Sequence, residues 1–343
     1  MAYTTINKST DYFNTKLYTG NNTSQAITGV GFQPDWVWIK SRTDTNSHNS
    51  WDSVRGVNKY LENDTTKVET TDSNGLTAFG TDGFTVGSRD AINDNSVNFA
   101  SWNWKANGAG SSNSDGSITS TVSANTTAGF SIVKYSGTGS NGTVGHGLGV
   151  APKIVLVKNL GQTTDWYMYT EMTGNTHSML LNSNSAKVGP YSDNWNNTSP
   201  TTTTFSVGTS GAINSSIADH IAYCFAEKTG YSKMGSYVGN NNADGPFVYT
   251  GFKPALIFFK NIEASENWLM FDNRRIGYNS GNYHLFPNAS NVENTGTGNY
   301  VDMLSNGFKI RVATNSINVS QNQIYMAFGQ SLVGSNNVPC TAR

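Results

Sequence analysis

Charged side chains are scarce in this sequence of 343 residues, where Asp, Glu, Lys and Arg together make up 13%. About a quarter is usual in soluble domains. Long exposed helices rely on Glu and Lys pairs one turn apart, so few such helices are expected. The formal net charge is −1 and no basic stripe is present, which argues against nucleic-acid binding. Asn, Ser, Thr and Gly take the place of charge, and they favour tight turns and strands with one wet face.

Long apolar runs and cysteines are also few. No apolar run of about 18 residues occurs, so no membrane-spanning helix is expected. Residues 1–10 are polar and lack the apolar segment of a signal peptide, which predicts synthesis in a cytoplasm without general export. The two cysteines, Cys224 and Cys340, make no disulfide framework. Cys224 lies in an apolar run and is expected to be a small buried hydrophobe.

Aromatic residues, by contrast, are abundant, at 12% of the chain. A composition low in both charged and hydrophobic residues is otherwise typical of disordered proteins. Aromatic side chains carry large burial energies, and here they lie within β-branched runs. The chain is therefore expected to fold, and its composition indicates an all-β protein.

One set of landmarks occurs three times along the chain. Each copy contains a run that opens with Pro and closes with Lys six positions later, at residues 34–40, 152–158 and 254–260. Pro is tolerated at the first position of a strand, and the continuous apolar run indicates a strand buried on both faces. An aromatic residue follows each proline by 17 positions. The recurrence in the same order predicts a triplicated module.

The landmarks predict the domain organisation. It comprises an N-terminal arm (1–12), a first repeat (13–106), a linker rich in Gly, Ser, Asn and Thr (107–129), a second repeat (130–230), a third repeat (231–330) and a C-terminal tail (331–343). Short strands separated by Asp-Gly and Asn-Gly turns favour antiparallel β-sandwiches. The predicted fold is therefore all-β, with three tandem, jelly-roll-like sandwich modules of about 100 residues. The second and third modules are expected to pack closely, because no linker separates them.

An Asp and an Arg three positions apart recur in two of the repeats. Asp52 and Arg55 in the first match Asp272 and Arg275 in the third, whereas the second has threonines there. An Arg fork could hold a carboxylate or phosphate ligand. Recurrence of the same pair in two repeats favours the alternative, in which each pair braces a turn.

Four tryptophans are candidates for stacking on a glycan. Trp36 and Trp38 alternate along one run, and Trp102 and Trp104 along another, so each pair points to one face of its strand. Matching positions in the other repeats include aliphatic residues such as Ile154. Sugar stacking needs flat rings, so the substitutions favour a sandwich core over a lectin-like platform.

No constellation of residues predicts catalysis, a cofactor or a metal ion. The five histidines lack the spacing of metal ligands, and no Cys pair accompanies them. No two carboxylates are placed convincingly for glycoside hydrolysis, and the Gly-rich turns lack the end of a phosphate loop. The chain is expected not to be an enzyme, and polysaccharide degradation is the less favoured alternative.

Long strings in all three repeats resemble one known family. They include Gly31-Phe32-Gln33-Pro34-Asp35-Trp36-Val37-Trp38-Ile39-Lys40, His146-Gly147-Leu148-Gly149-Val150-Ala151-Pro152-Lys153 and Gly245-Pro246-Phe247-Val248-Tyr249-Thr250-Gly251-Phe252-Lys253-Pro254. The chain resembles, over nearly its whole length, an uncharacterised repeat family of tailed phages that is common among phages of marine bacteria and cyanobacteria.

The resemblance implies a virion structural protein exposed on the particle surface. Such a protein would be a tail fibre, a tail appendage or a capsid decoration, and it would contribute to host attachment. Its implied partners are other virion proteins and further copies of itself, a trimer being the state implied for fibre-like members. The alternative is a carbohydrate-binding module that recognises a host surface glycan. The resemblance implies no catalytic residues.

Overall fold

The computed structural model describes residues 4–275, 279, 282–296, 298, 300–313 and 316–333. Within them the chain is almost entirely antiparallel β-structure, and its helices are single turns. Cys340 and most of the predicted C-terminal tail lie outside the described residues. The all-β sandwich prediction is confirmed.

The first repeat contains two facing sheets. A 3-10 turn (Ser9–Asp11) precedes it, and a short helix, α1 (Asp90–Asn93), precedes its last strand. The inner sheet has the order β1-β9-β3-β4-β5-β6 and the outer sheet has the order β2-β8-β7. Their bounds are β1 (Phe13–Thr19), β2 (Gln25–Thr28), β3 (Trp36–Ser41), β4 (Asn49–Asp52), β5 (Lys59–Glu62), β6 (Thr70–Thr71), β7 (Leu76–Gly80), β8 (Gly83–Val86) and β9 (Asn98–Trp104).

The second repeat has the same plan, with two strands added at one edge of its inner sheet. Its inner sheet has the order β10-β11-β12-β18-β14-β15-β16, and β13 pairs with β17 outside it. Two single-turn helices are α2 (Ser192–Trp195) and α3 (Gly211–Asn214). The strands are β10 (Ser111–Asn113), β11 (Ser120–Asn125), β12 (Phe130–Ser136), β13 (Gly142–Gly145), β14 (Ile154–Asn159), β15 (Tyr167–Thr170), β16 (Met179–Leu180), β17 (Thr204–Val207) and β18 (Asp219–Phe225).

The third repeat is the most compact version of this plan. Its inner sheet has the order β19-β25-β21-β22, and its outer sheet has the order β20-β24-β23. The strands are β19 (Ser232–Val238), β20 (Phe247–Tyr249), β21 (Lys253–Asn261), β22 (Leu269–Asp272), β23 (Val301–Leu304), β24 (Gly307–Ile310) and β25 (Asn322–Gln330).

The prediction of a linker at 107–129 is wrong. Residues 111–113 and 120–125 form β10 and β11, and β11 pairs with β12 along its whole length. Burial alternates only in the first half of the strand, where Ser120 and Val122 are buried and Thr121 between them is partly exposed, whereas Ser123 is buried as well. A composition rich in Ser and Thr suits an edge strand as well as a loop, so composition alone could not separate them.

The three inner sheets face one another around a common core. Alternate residues of β3 point in opposite directions: Trp36 and Trp38 join this central core, whereas Val37 and Ile39 join the core of their own sandwich. The corresponding strands β14 and β21 divide their side chains in the same way. Double-sided burial therefore explains the continuous apolar runs.

All three repeats, not only the second and third, are closely packed. Within the central core Trp36 stacks on Tyr223 of the second repeat, with ring centroids 4.3 Å apart. Trp38 contacts Phe258 of the third repeat at 5.8 Å. Ring contacts of this kind add to the burial energy of the aromatic side chains, so the first repeat is packed against both of the others.

Candidate functional site

The four candidate tryptophans are buried. Trp36, Trp38, Trp102 and Trp104 are each at most 2% exposed and belong to the central core. No ring face is available to a sugar, so these residues do not form a glycan platform. The exposed aromatic rings among the described residues lie elsewhere, at Tyr191, Phe247 and Tyr249.

The junctions between repeats follow one cyclic pattern. Trp166 of the second repeat donates its indole N–H to the Glu62 carbonyl of the first at 3.0 Å. Trp268 of the third repeat donates to the Leu180 carbonyl of the second at 2.9 Å. Both tryptophans lie 14 positions after their proline, and His48 holds that place in the first repeat. Both of these contacts therefore run from one repeat to the preceding repeat.

The three lysines that close the central strands are fully buried at these junctions. Lys158 donates from Nζ to the Thr66 carbonyl of the first repeat at 3.0 Å, and Lys260 donates to the Asn184 carbonyl of the second at 3.1 Å. Burial lowers the pKa of Lys40, Lys158 and Lys260 to about 8. Lys40 donates to the Ser41 and Asp44 carbonyls of its own repeat, so Lys158 and Lys260 are the two lysines that bridge repeats.

The variant Lys158→Met should reveal this burial in the pH dependence of stability. Between pH 8 and the ordinary lysine pKa of about 10.5, the unfolded chain binds a proton at Lys158 that the folded chain has lost, so stability rises with pH. From pH 7 to pH 10, the free energy of unfolding of the wild type should increase by about 2 kcal/mol relative to that of the variant. Urea denaturation at several pH values measures this, and a constant difference would contradict it.

The predicted Asp–Arg pairs are present, and each is linked to a neighbouring repeat. Asp52 pairs with Arg55, and it also accepts a hydrogen bond from the Tyr223 hydroxyl of the second repeat at 2.7 Å. Asp272 pairs with Arg275, and it accepts a hydrogen bond from the Trp102 indole of the first repeat at 3.1 Å.

At the junction between the second and third repeats, both the Asp and its hydrogen-bond donor are replaced. Where the Asp is replaced by Thr170, the residue at the place of Tyr223 and Trp102 is Met326, which has no strong donor. Thr170 instead shares a hydrogen bond with Thr173 at 3.0 Å within its own turn. The pairs therefore brace turns, as predicted, but they also join repeats, a role that sequence spacing could not reveal.

Sequence reasoning missed the acidic residues that complete this network. Arg55 also contacts Glu69, and Arg275 also contacts Glu293. Glu293 in turn binds Arg42 of the first repeat through both carboxylate oxygens, at 2.7 to 3.2 Å. No landmark of the repeat marks Glu69 or Glu293, because they lie in segments whose lengths differ between the repeats.

Tyr223→Phe tests the junction between the first and second repeats. Removing the hydroxyl deprives the buried carboxylate of Asp52 of a charge-assisted hydrogen bond, and we expect a loss of about 1.5–3 kcal/mol in the free energy of unfolding. Met326→Leu, at the equivalent place in the third repeat, is the matched control and should cost less than about 1.5 kcal/mol. Equal losses would show that the hydrogen bond contributes nothing specific.

A polar groove lies at the junction between the third and first repeats, beside β1. One part, of about 340 Å³, is lined by residues that include Phe13, Thr15 and Arg274. A second part, of about 280 Å³, continues past Thr15 and Arg274 to Lys16 and Gly29. Thr15 is only 6% exposed, and its hydroxyl has no hydrogen-bond partner in the described structure.

Among the described residues, no group of three or more His, Cys, Asp or Glu side chains is placed to hold a metal ion. In the same part of the chain, every helix is too short to cross a membrane.

Comparison with known proteins gives one match. A family model described as a domain of unknown function (DUF7483) matches residues 8–331, a span that contains all three repeats. Comparison with curated proteins and with solved structures finds no match. The family unit is therefore the whole three-repeat assembly and not the single repeat.

Proposed function

We propose that this chain, which belongs to the DUF7483 family, is a structural component on the surface of a tailed-phage particle. It would serve as part of a tail fibre or appendage, or as a head decoration, and would contribute to host attachment. The observation that carries the proposal is the central core, to which all three repeats contribute. Because the three repeats share this core, none of them can separate without exposing apolar surface, which suits a component that must withstand mechanical force.

The surface and the sequence resemblance support the same proposal. The exterior is rich in Asn, Ser and Thr, and formal charge nearly cancels over the chain, so exposed faces carry little long-range repulsion. Resemblance to a repeat family of tailed phages supplies the particle as the setting. Other virion proteins are the partners that follow.

Mass spectrometry of purified particles tests the proposal. Particles of the virus that encodes the chain would be banded in a density gradient and washed at high salt. We expect the chain at a fixed copy number per particle, and a reconstruction should then show it on the tail or head surface. A non-structural protein of the same virus is the control for carry-over, and recovery of the chain only at that control's level would refute the proposal.

Self-association is part of the proposal. The resemblance implies a trimer, so light scattering should give three times the mass of one chain in solution. The three repeats already form within one chain the ring that a trimeric fibre builds from three chains. A monomeric mass at micromolar concentration would therefore refute the trimer but leave the particle component in place.

Carbohydrate binding is the second candidate, now at a different site. Phe247 and Tyr249 project from one face of the edge strand β20 and are 46% and 52% exposed, with the Lys233 ammonium over the Tyr249 ring at 5.5 Å. Flat exposed rings can stack on sugars. Glycan-array binding that Tyr249→Ala abolishes and Tyr191→Ala leaves intact would support this function, and the absence of binding to any host polysaccharide would oppose it.

A further inference from the structure

Each repeat has an equivalent edge strand in its inner sheet. These strands are β1, β12 and β19, and each pairs on one side with the last strand of its repeat. Unpaired strand edges bind other strands readily, so proteins usually cover or block them. The three repeats differ in how they treat the other side of this strand.

In the second repeat the chain covers the edge itself. β11 pairs antiparallel with β12, from Ser120 opposite Tyr135 to Asn125 opposite Phe130. The segment before β11 also contacts the preceding repeat, since the Ser53 hydroxyl donates to the Gly108 carbonyl at 2.6 Å. The added strand therefore occupies the space between β12 and the turn of a neighbouring repeat.

In the third repeat the edge is blocked by local hydrogen bonds. The Met234 backbone N–H donates to the Glu227 carboxylate at 2.8 Å. Ser232 and Lys228 exchange backbone hydrogen bonds in both directions. These contacts use the outward backbone groups in the first half of β19, so a further strand has no place to begin.

In the first repeat the edge is open. Lys105 donates to the Tyr12 carbonyl and Gly20 donates to the Val97 carbonyl, which sets the alternation of the ladder with β9. By that alternation the N–H and C=O groups of Thr15 and Leu17 point away from β9. No residue that the structure describes hydrogen-bonds to these groups.

The side chains beside this edge are polar only at this junction. The equivalents of Thr15 are Ile132 and Met234, which belong to the central core, and those of Arg274 are Val54 and Met172, which pack against it. Where the third repeat meets the first, polar Thr15 and Arg274 therefore take the places of two apolar side chains. The side chain of Arg274 makes one long contact within the described residues, 3.5 Å to Asn14 Oδ1.

We infer that this groove binds an extended peptide segment of another protein, which adds to β1 as an antiparallel strand and directs an acidic side chain toward Arg274. The β11–β12 pair supplies the geometry, because it fills the equivalent groove within this same chain. The unpaired Thr15 hydroxyl and the Arg274 guanidinium supply the chemistry that selects a carboxylate. The inference rests on this geometry and holds whether or not the chain belongs to a particle.

The β11 register specifies the peptide. Ser123 lies opposite Ile132, the equivalent of Thr15, so the acidic side chain belongs at the Ser123 position. The probe is therefore a blocked peptide of residues 118–126 carrying Ser123→Asp. Hydrogen exchange with the intact protein should show at least tenfold slower exchange of the Thr15 and Leu17 amides at saturating peptide, with no change at the blocked edge of Met234.

Two matched changes separate strand addition from general charge attraction. N-methylation of the peptide at residues 121 and 123 removes the donors that face β1 and should abolish the protection. Arg274→Glu should lower the affinity for the probe peptide at least tenfold, and a peptide with Ser123→Lys should bind that variant again. The folded state of the variant is checked by its unchanged protection elsewhere.

Other results would overturn the inference. These are unchanged exchange at millimolar probe, and protection that survives both N-methylation and Arg274→Glu. Protection that appears without peptide and disappears on dilution would assign the edge to a second copy of this chain. Stronger protection by an acidic polysaccharide than by the probe would assign the groove to a sugar. None of these results bears on recovery of the chain from purified particles.

Discussion

Arg275→Ala should be among the most damaging substitutions in the chain, with an expected loss of about 3–5 kcal/mol in the free energy of unfolding. The Arg275 side chain is completely buried, and it donates to the carboxylates of Asp272 and Glu293 and to the Met270 carbonyl. Its removal would leave two buried carboxylates without their shared partner. Asp272 also accepts a hydrogen bond from the Trp102 indole of the first repeat. The substitution should therefore also weaken the junction between the third and first repeats.

The adjacent Arg274 provides the matched control. Its side chain is exposed, and Arg274→Ala removes the same charge from the same turn. We expect it to cost less than about 0.5 kcal/mol. Chemical denaturation of both variants measures the difference. If Arg275→Ala were no more destabilising than Arg274→Ala, the buried network would not be what joins the third repeat to the first.

Acidification should destabilise the protein through two buried histidines. Burial lowers the pKa of His220 and of His284 to about 4. His220 stacks on Tyr135, and His284 lies among Phe271, Phe286 and Tyr300, where a charged imidazole is poorly solvated. Both rings are therefore neutral in the folded protein at neutral pH.

The sign of the effect follows from proton binding. Between pH 6.5 and pH 4 the unfolded chain protonates both histidines and the folded chain does not, so stability falls as pH falls through this window. Each residue should contribute about 3 kcal/mol to the loss. Urea denaturation of the wild type, His220→Gln and His284→Gln at pH 6.5 and pH 4 measures these contributions. Each contribution is the loss of stability in the wild type minus the loss in the variant.

The double variant provides the internal check. The two histidines lie in different repeats, so their contributions should add. The double variant should therefore lose about 6 kcal/mol less than the wild type over the same pH window. An acid loss that is identical in the wild type and both single variants would show that other groups, such as the carboxylates, control acid unfolding.

Much of the architecture was predictable because the chain repeats itself. The proline-to-lysine runs predicted three central strands, and the structure places them as β3, β14 and β21 with matching neighbours. Turn dipeptides such as Asn306-Gly307 indicated hairpins, and that one joins β23 to β24. The substitution of aliphatic residues at the tryptophan positions correctly indicated core, because aliphatic side chains cannot replace flat rings in sugar stacking.

The candidate site was much less predictable. The composition of residues 120–125 fits a linker as well as a strand. Their pairing with β12 is what identifies them as the strand β11. The partners of Asp52 and Asp272 come from other repeats, 171 and 170 residues away in the chain. No local spacing carries such contacts.

The all-β class, the triplication and the Asp–Arg turns could be read from the order of the residues alone, because these features depend on alternation, spacing and local hydrogen bonds. Three-dimensional packing was needed to show that three sandwiches share one core and that neighbouring repeats complete each other's buried polar groups. It was also needed to show that, of the three equivalent strands β1, β12 and β19, β1 alone is neither covered nor blocked by the described residues. Those features depend on which faces meet, and the residues that meet come from different repeats, 76 to 171 positions apart in the chain, which local alternation cannot reveal.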